Sequence, residues 1–331
     1  MRWEKTLKAA FFNARRKLGS AVLESGLHIV FACANTVSSG PLPKEESMQT
    51  DWGQEYLELL KKSLTASLYD ESAYSAVAGP QVVDERLGAS GRVVAAGKRA
   101  VVRFLRRKSL MLVRMRPYQD YKRDEGHDWP LFGYTMVGHL RLDNVRMCVE
   151  TIIKDRIAGD FVETGVWRGG TVIWMRALLK FHGVENREVW AADSFEGLPK
   201  PQHPEDMAPG EYDLSNVDSL AVSVEEVKRN FTKFSLLNGH VHFLKGWFKD
   251  TLPSAPIEKI ALLRLDGDLY ESTMDSLTSL YDRVTPGGFI IVDDYGSWPP
   301  CKAAVDEFLT KNRITVELKK IDYSGVYFQK P

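Results

Sequence analysis

One stretch limits what this chain can become more than any other: Ala261-Leu-Leu-Arg-Leu-Asp266-Gly-Asp268-Leu-Tyr-Glu-Ser-Thr273. It opens as an apolar run of the kind that forms a strand buried on both faces. It then stops at two carboxylates. A buried charge without a partner is costly, so acidic side chains at this point fit a strand end that opens on a ligand. In an open α/β sheet the carboxyl ends of the strands are where ligands bind. Gly288-Phe-Ile-Ile-Val-Asp293-Asp294 repeats the pattern. The two acidic strand ends read as halves of one site.

Strands and helices alternate around these ends. Strands are expected over 160–163, 188–192, 241–244, 261–265, 288–292, 314–319 and 325–329. Helices are expected over 136–153, 171–180, 223–234, 273–284 and 302–311. That alternation predicts an α/β fold with a doubly wound, largely parallel sheet. Upstream, residues 56–69 have helical apolar spacing. Three regions are expected: an N-terminal extension over 1–50, a helical or lid region with a basic segment over 51–133, and the catalytic domain over 134–331.

Formal net charge is zero, which gives no reason to expect a nucleic-acid partner. The charge is unevenly spread, with eleven Lys/Arg against the single acid Asp120 between Arg92 and Arg123. That segment reads either as an amphipathic contact to a membrane or polyanion surface or as a solvated helix face. The first eighteen residues are also basic. Residues 1–25 are open to a targeting role, against the plainer reading of an untethered chain end. No apolar run is long enough to span a bilayer. The three cysteines, Cys33, Cys148 and Cys301, are odd in number and far apart. They suit a reducing compartment, and the cytoplasm is the expected location.

Between the first expected strand and its helix lies Glu163-Thr-Gly165-Val-Trp-Arg168-Gly169-Gly170. Glycines let the backbone turn sharply and approach a ligand. Their spacing is not that of a dinucleotide fingerprint, which weakens a nicotinamide-dependent reading. Glu163 stands where a carboxylate would meet a cationic or hydroxyl group, and Asp193 ends the next strand, where a carboxylate can hold ribose hydroxyls. Together they suit a nucleoside with a charged amino-acid tail, S-adenosylmethionine. The alternative is an ordinary structural turn. Asp266, Asp293 and Asp294 would converge and repel, which a hard divalent cation relieves; magnesium suits an all-oxygen site. Asp268 is the candidate base for a metal-activated hydroxyl. The structural alternative has Asp268 capping the next helix and Asp293-Asp294 beginning a turn.

Five segments carry a resemblance: 159–170, Asp193-Ser-Phe-Glu-Gly-Leu-Pro199, Gly246-Trp-Phe-Lys-Asp-Thr-Leu-Pro253, 263–273 and 286–295. In content and order they resemble the macrocin O-methyltransferase family. The resemblance covers 134–331 densely and touches 56–69. It implies a class I S-adenosylmethionine-dependent methyltransferase fold, mostly parallel with an antiparallel C-terminal strand, and magnesium-dependent methylation of a sugar hydroxyl. It implies Asp266, Asp293 and Asp294 as metal ligands and Asp268 as base. It also implies cofactor contacts at Thr135, Met136, Glu163, Gly165, Arg168, Gly169 and Asp193, with Ser219 and Ser223 on the adenine side, and a pocket-lining loop at Trp247-Phe248. The implied partner is a small glycoside or glycan acceptor, and a homo-oligomer is consistent with the family. Residues 1–50 and the basic region from about 74 to 116 depart from the pattern, which leaves the acceptor open. Two rivals remain: a phenol- or catechol-type O-methyltransferase and a non-catalytic binding protein on the same fold.

Overall fold

The computed structural model of the chain describes residues 45–69, 73–76, scattered positions between 101 and 117, and 119–331 except 208–212. Met1–Thr50 and Asp51–Pro331 are two separate compact units. The expectations for residues 1–25 and for most of the basic stretch lie outside the described residues. Among the described residues, no helix is long and apolar enough to cross a membrane.

Helix α1 (Glu45–Leu64) buries Leu57, Leu60 and Leu64, one face at helical spacing. A small hairpin follows, β1 (Tyr74–Ala76) against β2 (Val113–Met115), and then α2 (Asp120–Glu125). The remainder alternates: α3 (His139–Lys154), β3 (Asp160–Thr164), α4 (Gly170–Phe181), β4 (Val189–Asp193), α5 (Val224–Lys233), β5 (Val241–Lys245), the short α6 (Phe248–Thr251) and β6 (Ile260–Leu265). It continues with α7 (Tyr270–Leu280), β7 (Val284–Val292), α8 (Pro299–Lys311), β8 (Lys319–Lys320) and β9 (Val326–Gln329).

Seven strands form one sheet in the order β5-β4-β3-β6-β7-β9-β8. The five from β5 to β7 are parallel. β9 runs antiparallel between β7 and β8. The chain winds outward from β3 to β5, then returns to lay β6 on the other side of β3. Such a reversal leaves a crevice at the carboxyl ends of the strands, and Thr164, Asp193 and Leu265 end their strands there.

Buried strands here have no polar face. Phe161, Leu262, Phe289 and Ile291 pack under α1, α3, α4 and α5. Val162, Leu263, Ile290 and Val292 pack under α7 and α8. Every residue of β6 is buried, including Arg264, the one charge in that run.

Several boundaries differ from expectation: α3 starts at His139 rather than 136, α8 at Pro299 rather than 302 and β7 at Val284 rather than 288, and two further differences have a clear physical cause. The alternation over 314–319 predicts a strand, but only Lys319–Lys320 pairs with β9. Ile314, Val316 and Leu318 meet their apolar demand by packing on the core instead. Helix α7 starts at Tyr270 rather than Thr273 and gives way to a 3-10 turn at Tyr281; its early start depends on a distant cap described below.

Trp174 in α4 is fully buried, and its indole donates to the Leu142 carbonyl of α3 at 2.9 Å. Replacing it with alanine removes a large side chain and leaves a cavity and an unpaired carbonyl. We expect Trp174→Ala to lower the unfolding free energy in urea by about 3–5 kcal/mol.

Candidate active site

The site begins with a turn that only glycine permits. Gly165 follows β3 with φ +85°, and a Cβ there would lie 1.7 Å from the Asp266 carbonyl oxygen. The chain leaving β3 therefore passes against the end of β6. Trp167 also adopts positive φ, +47°. Its indole donates to the Ser219 carbonyl at 2.8 Å. The Arg168 guanidinium lies 4.1 Å from the Trp167 ring and donates to the Gly133 and Leu131 carbonyls at 2.8 and 3.1 Å.

Asp193 ties this turn down. One carboxylate oxygen accepts from the amides of Val166 (2.7 Å) and Trp167 (3.2 Å); the other accepts from Phe195 N (2.7 Å). Burial raises its pKa despite those donors. Gly165, Trp167 and Asp193 form one wall of a cavity of about 340 Å³. Asp266, Asp268 and the Trp247-Phe248 step also face it, and Leu198, Pro199 and Lys200 close another side. The volume falls within the range of small-molecule sites.

Beneath the acidic wall lies a buried ionic network. Arg264, 0% exposed, donates to Glu163, to Asp266 Oδ2 (2.9 Å) and to Asp293. Arg141 of α3 bonds the other oxygen of Asp293 and also Asp322 Oδ2 (2.6 Å). Asp322 is fixed in turn by the amides of Ser324 and Gly325. Burial pushes the Asp293 carboxyl up, but Arg141 and Arg264 outweigh that and hold it below the usual range.

The remaining acids have the opposite balance. Burial pushes Asp266 up to about 6 against the pull of Arg264. Burial, then Asp266 and Asp293, push Asp268 up to about 8. Burial, then Asp268, raises Asp294 well above normal. Glu163 is pushed up to about 8 by burial, and its Oε2 finds no hydrogen-bond partner. Asp266, Asp268 and Asp294 each set a carboxylate oxygen within 4.8 Å of the others. An all-oxygen, over-acidic cluster of this kind has the donor chemistry of a hard divalent cation.

The expected metal trio was Asp266, Asp293 and Asp294. The trio brought together is Asp266, Asp268 and Asp294. Asp293 stands apart because both of its oxygens are engaged by arginines. Asp268 does not cap α7: the N-cap is Leu269, with no side-chain bond. Asp268 instead adopts φ +55° and lines the cavity.

Of the expected cofactor residues, Met136, Gly165 and Asp193 line the cavity. Glu163 lies buried behind Arg264. The Thr135 hydroxyl accepts from Val137 N, and Arg168 braces the 131–133 segment; both support the turn without lining the cavity. Gly169 opens α4. Ser219 contributes its carbonyl to Trp167. Ser223 is the N-cap of α5, its hydroxyl accepting from Glu226 N at 3.2 Å. A serine just before a helix can serve a ligand or the helix end, and here its hydroxyl is bonded to the helix end. Sequence reasoning missed Arg141 and Asp322. Both sit among other polar and charged residues, so neither carried a local signal.

The sheet order, the glycine turn at the end of β3 and the acid-lined cavity at the switch point define a class I S-adenosylmethionine-dependent O-methyltransferase. The chain belongs to the macrocin O-methyltransferase (TylF) family, whose model matches residues 53–330. It is 53% identical over 216 residues to demethyldecarbamoylnovobiocin O-methyltransferase of Streptomyces niveus, covering 64% of this chain and 82% of that one. It is 46% identical over 211 residues to mycinamicin III 3''-O-methyltransferase of Micromonospora griseorubida, covering 63% and 83%. Among solved structures it is similar to the O-methyltransferase NovP, with TM-score 0.68, 43% identity, and coverage of 84% of this chain and 99% of that one.

The cluster yields a pH-dependent prediction. A carboxyl whose folded pKa is raised costs stability: the cost is absent below the unfolded pKa, grows as pH rises past that value and is complete above the folded pKa. In metal-free protein, Asp294→Asn should raise Tm at pH 8 relative to wild type. At pH 3, below the ordinary carboxylate range, where the carboxyl is protonated folded and unfolded alike, it should change Tm little. Thermal melts at the two pH values check this.

Proposed function

We propose that the protein transfers the methyl group of S-adenosylmethionine to a hydroxyl of a sugar moiety in a glycoside natural product. Asp268 is the general base, and Asp266 and Asp294, each with a carboxylate oxygen within 4.8 Å of one on Asp268, would hold a magnesium ion beside it. The observation that carries this reading is Asp268 itself. It is a non-glycine residue at positive φ, facing the cavity beside Asp266, with a carboxylate oxygen within 4.8 Å of those of Asp266 and Asp294. Strained backbone of this kind persists where surrounding structure over-determines it, often at active sites. The relatives' names support the acceptor class: two are O-methyltransferases of demethyldecarbamoylnovobiocin and mycinamicin III, and a third, from Streptomyces olivaceus and 49% identical over 207 residues, is named for a rhamnosyl-tetracenomycin C acceptor.

Alcohols are poor nucleophiles near neutral pH, and a base positioned against the hydroxyl is the remedy. Asp268 takes the hydroxyl proton as the acceptor oxygen bonds the methyl carbon and the carbon–sulfur bond breaks. The products are a methyl ether and S-adenosylhomocysteine. Gly165 and Asp193 hold the nucleoside side of the cavity. Trp167, Trp247 and Phe248 wall it from water, and alignment of oxygen, carbon and sulfur supplies much of the rate. Magnesium, when bound, neutralises the carboxylate cluster and lowers the pKa of a hydroxyl beside it.

Titration calorimetry with S-adenosylmethionine, with and without magnesium, comes first. An acceptor panel led by demethyldecarbamoylnovobiocin and other glycosides with a free sugar hydroxyl follows. We expect Asp268→Asn to lower kcat by about a hundredfold or more while cofactor affinity stays within about twofold. Retained turnover in that variant would instead favour a phenolic acceptor. Chelation should abolish transfer, and added magnesium should raise Tm; full activity and an unchanged Tm in chelator would remove the metal from the proposal.

A further inference from the structure

The loop from Ser194 to Leu220 holds a carboxylate that nothing above uses. Asp206 closes a 3-10 turn, Pro204–Asp206, and is 1% exposed. Its two oxygens accept from the first amides of α7: Oδ1 from Tyr270 N at 2.7 Å and Oδ2 from Glu271 N at 3.3 Å. Leu269, the local N-cap, has no side chain able to do this. The cap therefore comes from sixty-four residues upstream. A carboxylate there also meets the positive end of the helix dipole. The same loop grips a second time, where the His203 ring stacks on Tyr270 at 4.0 Å and 8°.

What precedes Tyr270 gives this cap its importance. Leu269 N donates to Gly267 O at 2.5 Å, closing a three-residue turn with Asp268 at its centre. With positive φ at the centre, such turns are rare and strained. Each end must be held for the turn to persist. The upstream end is held where Asp266 N donates to Thr164 O of β3 at 2.9 Å. The downstream end is the first turn of α7, which Asp206 holds. Upstream of Asp206, Leu198, Pro199, Lys200 and Gln202 form a wall of the cavity. One carboxylate thus joins the cavity wall to the turn that aims Asp268.

We propose that Asp206 is a positioning residue: it clamps the strained Asp268 turn and couples the 197–203 wall to the base. The inference rests on the role proposed for Asp268, so its test includes a readout that needs no turnover. The full chain is compared as wild type, Asp206→Asn and Asp206→Ala. Glu307→Ala serves as a control that removes the other anchor of α7, the 2.8 Å bond from the Tyr270 hydroxyl. Asparagine keeps the shape but cannot accept from both amides, which guards against a variant that fails to fold.

In hydrogen exchange, amides 269–272 and the 197–203 segment should both exchange about tenfold faster or more in Asp206→Asn. Calorimetric affinity for S-adenosylmethionine should stay within about twofold of wild type. With the glycoside identified by the panel, kcat should fall about tenfold or more, since small misplacements of a reacting group are expensive, and the acid limb of its pH profile should move. Glu307→Ala should leave exchange at 197–203 and kcat near wild type. Wild-type exchange in Asp206→Asn overturns the proposal. So does a kcat loss that Glu307→Ala reproduces at equal Tm, because that reports general loosening. A wild type that methylates no glycoside would count against the proposed acceptor, while the exchange data would still decide the clamp.

Discussion

Arg264 is the contact on which the site depends. It stands in the middle of the most buried strand, where an unpaired guanidinium would be prohibitive. Its partners are Glu163 at the end of β3, Asp266 at the end of its own strand and Asp293 at the end of β7. One cation thus ties three adjacent strand ends together. Arg141 extends the tie to α3 and to the turn before β9. Replacing such a network by apolar packing need not cost stability, but removing one member leaves stranded charge, typically about 3–5 kcal/mol. Its service here is geometric: it fixes where the carboxylates of the cavity wall can stand.

The network leaves a surplus of acid. Asp293 is neutralised twice over, whereas Asp266, Asp268 and Asp294 share what remains, and their raised pKa values express that imbalance. This division sorts the acids into two groups. Asp293 belongs to the scaffold beneath the site. Asp266 and Asp268 line the cavity, and Asp294 sets a carboxylate oxygen beside theirs. Strain is concentrated at the same place: Gly165 and Asp268 both hold positive φ within the same corner of the sheet, and both are anchored by neighbours rather than by their own preferences.

Much of this was legible in the chain. The apolar runs of β3, β6 and β7, with acids at their ends, announced a parallel sheet with a ligand site at its carboxyl edge. Gly165 could be read because only glycine tolerates the turn. The helix and strand order followed from hydrophobic periodicity. Less legible were residues whose role depends on a partner far away in sequence. Ser223 looked like a cofactor contact but caps a helix. Asp206 carries no local mark of its role, yet it caps α7. The alternation over 314–319 implied a strand, but those side chains found core packing without a ladder.

Local chemistry is short-ranged, so the sequence by itself determined the elements, the glycine turn and the presence of a carboxylate cluster at the strand ends. Which acids join the carboxylate cluster and which are consumed by arginines was decided only by the tertiary structure. Asp293 and Asp294 are adjacent and chemically identical, and no local rule separates them. Arg141, 152 residues from Asp293 along the chain, and Arg264 on the neighbouring strand separate them by claiming both oxygens of one and neither of the other.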